Sequence, residues 1–246
     1  EEKQQRIDLE QRIQKLIASS GLCSRRQAEE FLRSSRVTLN GVIAGIGDKA
    51  NLQEDKVCVD GVAIENNLQK KVILLNKPMG YISTCHDPYG RPTVLSLLPK
   101  SYRKGLHPIG RLDADSRGAL LLTNYGELTL QLTHPRYKHL KSYVVLVKGN
   151  PSLETLGKWR NGVMLEGKIT MKARIEIIDI KNNNTLLKVI LKEGRNRQIR
   201  RVADQLGNPV LDLKRTSFAN IELGSLPEGK WRELNTIELT QICQNL

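Results

Sequence analysis

Apolar residues in the first forty positions recur at helical spacing. Ile13, Leu16 and Ile17 share one stripe over residues 10–19, and Gly21 stops that segment. Ser24, with Gln27 three residues on, has the form of a capping box, so a second helix follows with Ala28, Phe31 and Leu32 as its buried stripe. The pattern then changes. Val37-Thr38-Leu39-Asn40-Gly41 and Val57-Cys58-Val59-Asp60-Gly61 each read as a short strand running into a turn. Two helices and at least two short strands predict a small α+β module over residues 10–68, and the polar stretch from Glu65 to Lys71 reads as its linker.

Beyond the linker the pattern is mainly that of strands. Val72 to Asn76 has the form of a buried strand broken by Lys77-Pro78, and further β-rich runs cover Ala119 to Thr123, Tyr143 to Val147, Lys172 to Ile180 and Leu186 to Leu191. The clearest helix is Gln198 to Leu206, where Ile199, Val202, Ala203 and Leu206 keep helical spacing and Gly207 closes the end. Strands that do not alternate regularly with helices predict a mixed, mainly antiparallel sheet over residues 72–246, and an α+β class for the whole chain.

Composition adds exclusions. Apolar runs such as Val72 to Leu75 and Ala119 to Leu122 stop at four residues, far short of the ~20 that span a bilayer, and the first five residues are charged or polar. A cytoplasmic protein is expected, neither secreted nor in a membrane. Cys23, Cys58, Cys85 and Cys243 fit no zinc spacing and are expected as reduced thiols; with four scattered histidines, no metal site is expected.

Charge changes the picture most. The chain carries 39 basic and 26 acidic residues, a net +13. Residues 1–70 hold 11 of each sign, so residues 71–246, with 28 basic against 15 acidic, account for the whole excess. Within the neutral part, Arg12, Lys15, Arg25, Arg26, Arg33 and Arg36 form a basic helical patch against Glu29 and Glu30. Such a balance points to a polyanion, because each neutralised phosphate releases counterions. Aromatic residues make up only 4%, which argues against a stacking platform for generic single strands.

Two segments concentrate chemistry. Gly110-Arg111-Leu112-Asp113-Ala114-Asp115-Ser116-Arg117-Gly118 alternates carboxylates before a strand. Calcium is excluded, because a loop counted from Asp113 would place Arg117 and Asn124 at its fifth and twelfth positions. On composition alone, a plain turn organised by Asp113, Asp115 and Ser116 is favoured over a reactive site. The second segment, Lys192-Glu193-Gly194-Arg195-Asn196-Arg197-Gln198-Ile199-Arg200-Arg201, gathers arginines where a strand becomes a helix, a natural place for phosphate. Arg200 neighbours the buried stripe and needs a carboxylate; Asp113 is the expected partner.

These segments resemble a known family. Gly110-Arg111-Leu112-Asp113, followed by Gly118 and an apolar strand, is similar to the catalytic signature of RNA pseudouridine synthases, and the surroundings resemble the RsuA family of ribosomal-RNA enzymes. Asn76-Lys77-Pro78-x-Gly80, Asp87-Pro88-Tyr89-Gly90-Arg91-Pro92-Thr93-Val94, Leu121 to Leu128, His134-Pro135, Lys141-x-Tyr143 and Glu193 to Arg201 continue the likeness in order. Gly21-Leu22-x-Ser24-Arg25-Arg26 and Val37 to Gly41 resemble the RNA-binding domain of the small-subunit ribosomal protein numbered four. Arg197 departs from the histidine of many relatives.

The resemblance implies isomerisation of a uridine to pseudouridine in ribosomal RNA, large-subunit rRNA being favoured by the uninterrupted Asp87 to Thr93 stretch. It implies no cofactor and a flipped-out base. It makes Asp113 the essential carboxylate, Arg200 its cationic partner and Tyr143 the ring against the uracil. Arg111 would fill the space left by the base, and Leu191 and Ile199 would line the pocket. Lys192, Arg195, Arg197 and Arg201, with Arg25 and Arg26 of the first domain, would hold RNA, and the protein would act as a monomer. A non-catalytic RNA-binding or ribosome-assembly factor would use the same basic surface.

Overall fold

The computed structural model describes residues 10–65 and 68–243. The charged amino-terminal residues and part of the predicted linker (residues 66 and 67) lie outside that range. The chain divides into two compact units. Of the described residues, one comprises 10–65 and 68–71 with 100–106 and 124–126; the other comprises the remainder.

In the first unit, helices α1 (Ile13–Ser19) and α2 (Arg25–Arg33) accompany short strands β1 (Gln11–Arg12), β2 (Val37–Leu39), β3 (Val42–Ile43), β4 (Lys49–Ala50), β5 (Val57–Val59) and β6 (Val62–Ala63). The capping box forms: Gln27 N–H donates to Ser24 Oγ, and Ser24 N–H donates to Gln27 Oε1. Strands run in the order β3-β2-β5-β6, all antiparallel. Asn40-Gly41 and Asp60-Gly61 close the two hairpins with positive φ at all four residues, the turn that matches strand twist. Ile13, Leu16, Ile17, Ala28, Leu32, Val37, Val57 and Val59 make one core.

The second unit is built on a nine-stranded sheet. Its strands are β7 (Val72–Lys77), β8 (His107–Ile109), β9 (Arg117–Thr123), β10 (Lys141–Lys148), β13 (Arg174–Lys181), β14 (Asn184–Leu191), β15 (Val210–Phe218), β16 (Ile221–Glu222) and β17 (Trp231–Glu233). A separate hairpin joins β11 (Met164–Leu165) to β12 (Lys168–Ile169). The order is β13-β14-β10-β15-β9-β7-β17, and β9–β15 is the parallel pair in an otherwise antiparallel sheet, as expected of a mixed α+β architecture. Every residue of β7 is buried, so this strand is covered on both faces.

The described helices of this unit are α3 (Gly126–Thr133), α4 (Leu153–Asn161), α5 (Gln198–Gln205) and α6 (Thr236–Cys243). Only α5 is announced by its sequence. In α3 the leucines at 128, 130 and 132 alternate as in a strand, yet the buried face is Leu128, Gln131 and Leu132 and Leu130 is exposed. Strand β15 is missed for the opposite reason: Asp212, Lys214 and Arg215 give a central strand the composition of a surface. No described helix is long and apolar enough to cross a membrane.

The parallel seam leaves no room for a side chain at Gly118. That residue has φ +108°, and a Cβ there would fall on the backbone oxygen and nitrogen of its register partner Arg215. We expect Gly118→Ala to destabilise the protein by upwards of about 2 kcal/mol in urea denaturation, whereas Gly126→Ala, in open helical space, stays within about 1 kcal/mol.

Candidate active site

The loop between β8 and β9 carries Asp113, and it is fixed from below. Lys77, the last residue of β7, is fully buried. Its ammonium donates to the carbonyls of Pro78 (3.0 Å), Asp113 (3.0 Å) and Ser116 (2.7 Å). Ser83 bridges the same loop, its Oγ donating to Leu112 O and accepting from Leu112 N–H, and Gly80 N–H donates to Ala114 O. The stretch from Lys77 to Ser83 therefore clamps residues 112–116 through their backbone groups, leaving the side chains of Asp113 and Asp115 available. Burial pushes the Lys77 ammonium down to about 8, the negative charges of Asp113 and Asp115 opposing that drop.

Above the loop stands a cleft of about 520 Å³. Asp113 lines it with Arg111, Tyr143, Leu191, Ile199 and Arg200, so the structure brings together all the residues assigned to catalysis and to the pocket wall. Tyr143, Leu191 and Ile199 are buried at 8%, 3% and 6% exposure and form an apolar wall. Tyr143 is delivered by β10, Leu191 by the end of β14, and Ile199 and Arg200 by the first turn of α5.

The electrostatic pairing differs from the expected one. Arg200 addresses Asp115: its Nη2 donates to Asp115 O at 2.7 Å, and its Nε lies 3.3 Å from Asp115 Oδ2 at an angle that makes no hydrogen bond. The cation beside Asp113 is Arg197, with Nη1 3.7 Å from Oδ2. Arg197 also grips Asp115 with two hydrogen bonds of 2.9 and 2.8 Å. That bidentate contact holds Asp115 below the usual carboxylate range, with Arg200 adding to it. The Asp113 side chain is 37% exposed at the cleft mouth. The reason is local. Arg197 caps α5 with a left-handed backbone, φ 48°, which starts the helix beside the acidic loop, and Asp115 takes the nearer guanidinium groups.

The remaining basic residues divide. Arg195 is committed to the chain, donating to the carbonyls of Leu165, Lys168 and Ile169 and pairing with Glu193. Arg201 pairs with Glu166 at 2.9 Å. Arg111 and Lys192 are exposed at the rim of the cleft. Arg25 and Arg26 belong to the first unit, exposed at the start of α2.

Residues 71–205 match the family described as RNA pseudouridylate synthase, more than half of the chain. The chain belongs to that family. Residues 11–51 match the S4 domain. The chain is 40% identical over 235 residues to ribosomal large subunit pseudouridine synthase B of Bacillus subtilis, covering 94% of this chain and 95% of that protein. It is 39% identical over 236 residues to an uncharacterized RNA pseudouridine synthase of Aquifex aeolicus, covering 95% and 94%. A solved pseudouridylate synthase superposes with a TM-score of 0.69 at 29% identity, covering 94% of this chain and 99% of that one. In this pseudouridine synthase, the sequence pattern assigns Lys77 no role, although a lysine that follows four apolar residues and Asn76, directly before proline, needs partners inside.

Lys77 releases its proton in the folded state at about 8 against 10.5 for the free side chain, so the cost of burying its charge is fully present below pH 8 and fades as pH rises to 10.5. In urea denaturation, the stability of wild type minus that of Lys77→Met should therefore move in favour of wild type between pH 7.5 and 9.5; an unchanged difference contradicts the buried, charged lysine.

Proposed function

We propose that this pseudouridine synthase converts a uridine of large-subunit ribosomal RNA to pseudouridine. The observation that carries the reading is a carboxylate, Asp113, on a backbone-clamped loop at the mouth of an apolar cleft that also holds a buried tyrosine. The large subunit is favoured by the likeness to the B. subtilis protein over nearly the whole length of both chains.

The target uridine turns out of its stack into the cleft, which a duplex would otherwise deny to the enzyme. Asp113 is the reacting carboxylate, and the Arg197 guanidinium lies 3.7 Å from it. The bond between N1 and C1′ breaks, the base turns, and C5 joins C1′. C5 then loses its proton and N1 ends up carrying one. The sum of atoms and the oxidation state are unchanged, so the reaction calls for no cofactor. Tyr143 lies against the uracil ring and assists the late proton loss from C5, while Leu191 and Ile199 exclude water. Arg200 acts on Asp113 through Asp115 and Ser116, whose backbone and side chain it holds.

Arg111 enters the space left by the base. Lys192 joins it in contacting phosphates, as do Arg25 and Arg26 of the S4-like unit, and Arg195, Arg197 and Arg201 brace the segment that presents them. The cleft is lined by residues of the second unit, which supports action as a monomer in the cytoplasm.

Asp113→Asn should bind large-subunit rRNA as the wild type does, yet lose tritium release from [5-³H]uridine-labelled transcript by at least about a thousandfold, roughly 4 kcal/mol of transition-state stabilisation. Release by the variant at the wild-type rate removes Asp113 from the chemistry. Absence of release by the wild type from any rRNA leaves an RNA-binding factor.

A further inference from the structure

The wall of the cleft opposite these roles contains two cations that the chemistry above does not use. Strands β10 and β15 lie side by side there, with Tyr143 opposite Arg215 and Lys141 opposite Phe218. Directly opposed residues place their Cβ atoms about 5 Å apart, and residues two apart on a strand share a face. Lys141, Tyr143, Arg215 and Phe218 accordingly all line the cleft.

Arg215 is 3% exposed. Its Nε donates to Ala119 O at 2.7 Å, but its buried Nη2 has no hydrogen-bond partner among the described residues. Lys141 Nζ donates to His139 O at 3.1 Å and lies 5.5 Å from the centre of the Phe218 ring, while the Arg215 guanidinium carbon lies 5.0 Å from the same centre. Neither cation forms an ion pair among the described residues. Glu193, a carboxylate on the same cleft, is occupied by Met171 N–H, Gln198 Nε2 and Arg195. Burial and then the neighbouring Arg215 charge push the Lys141 ammonium below its usual range, with the Glu193 carboxylate partly opposing them.

Two partly desolvated like charges beside a substrate-sized cleft, one with a donor left over, are costly on their own account. An incoming anion relieves the repulsion and satisfies the donor, and a guanidinium with an ammonium suits phosphate oxygens. We propose that Lys141 and Arg215 form an anion subsite that takes a phosphodiester group of the substrate strand next to the nucleotide held against Tyr143. The proposal deepens the reading of the protein as an RNA-modifying enzyme and rests on it for the identity of the strand.

Lys141→Gln, a change at a part-exposed side chain, separates the outcomes. In single-turnover tritium release from large-subunit rRNA transcript, the half-saturating concentration should rise about tenfold. Its dependence on salt should weaken by about one counterion, and the saturating rate should stay within about threefold. An unchanged salt slope, or a loss confined to the saturating rate, overturns the phosphate assignment while leaving the enzyme reading intact. Independently of turnover and of any variant, the wild-type chain titrated by NMR should bind uridine 3′- or 5′-monophosphate at least tenfold more tightly than uridine. Equal binding of nucleoside and nucleotides overturns the subsite even if the wild type releases no tritium.

Discussion

A single buried ammonium organises the reactive end of this molecule. Lys77 gathers the carbonyls of Pro78, Asp113 and Ser116 around one charge, in a place where no water competes for them. Carbonyl dipoles converging on a cation are held more firmly than a loop secured by its own turn hydrogen bonds, because the interaction strengthens as the dielectric falls. The arrangement converts a glycine-bounded loop into a fixed platform, and side chains on that platform need no separate anchoring. Ser83 and Gly80 complete the support from the same stretch of chain.

On that platform the two acids divide their tasks. Asp115 absorbs the bidentate grip of Arg197 and the approach of Arg200, and so ties the start of α5 to the loop. Asp113 is left with one longer ion pair and an open path into the cleft. A carboxylate saturated by two guanidinium groups would be poorly placed to react. Placing the tight pair two residues away, on Asp115, keeps positive potential close without covering the Asp113 oxygens.

Much of this was legible in the sequence, and the failures have physical causes. The capping box at Ser24, the Asn-Gly and Asp-Gly turns and the stripe of α5 all appear where local pattern placed them, because in each the short-range preference agrees with the tertiary environment. The loop at Asp113 and the tyrosine at 143 were recognisable as motifs, and the cleft unites them. The partner of Asp113 was not readable, since choosing between Arg197 and Arg200 depends on the left-handed residue that begins the helix. Leucines alternating in α3 and charges inside β15 misled in opposite directions: burial in both is decided by what lies across the fold, and Arg215 lines the cleft.

The nine-stranded sheet also has a weak line. Within the sheet its two antiparallel blocks pair where β9 runs parallel to β15, over the register pairs Arg117–Lys214 and Gly118–Arg215, with Arg117 and Asp212 bracing the junction. Lys77 and the acid loop belong to one block, Tyr143 and Leu191 to the other. A small change of twist at that junction would alter the gap between acid and aromatic ring before any hydrogen bond inside either block is disturbed. The width of the cleft thus depends in part on two residue pairs in its floor, and Gly118, lacking a Cβ, lets the blocks approach so closely.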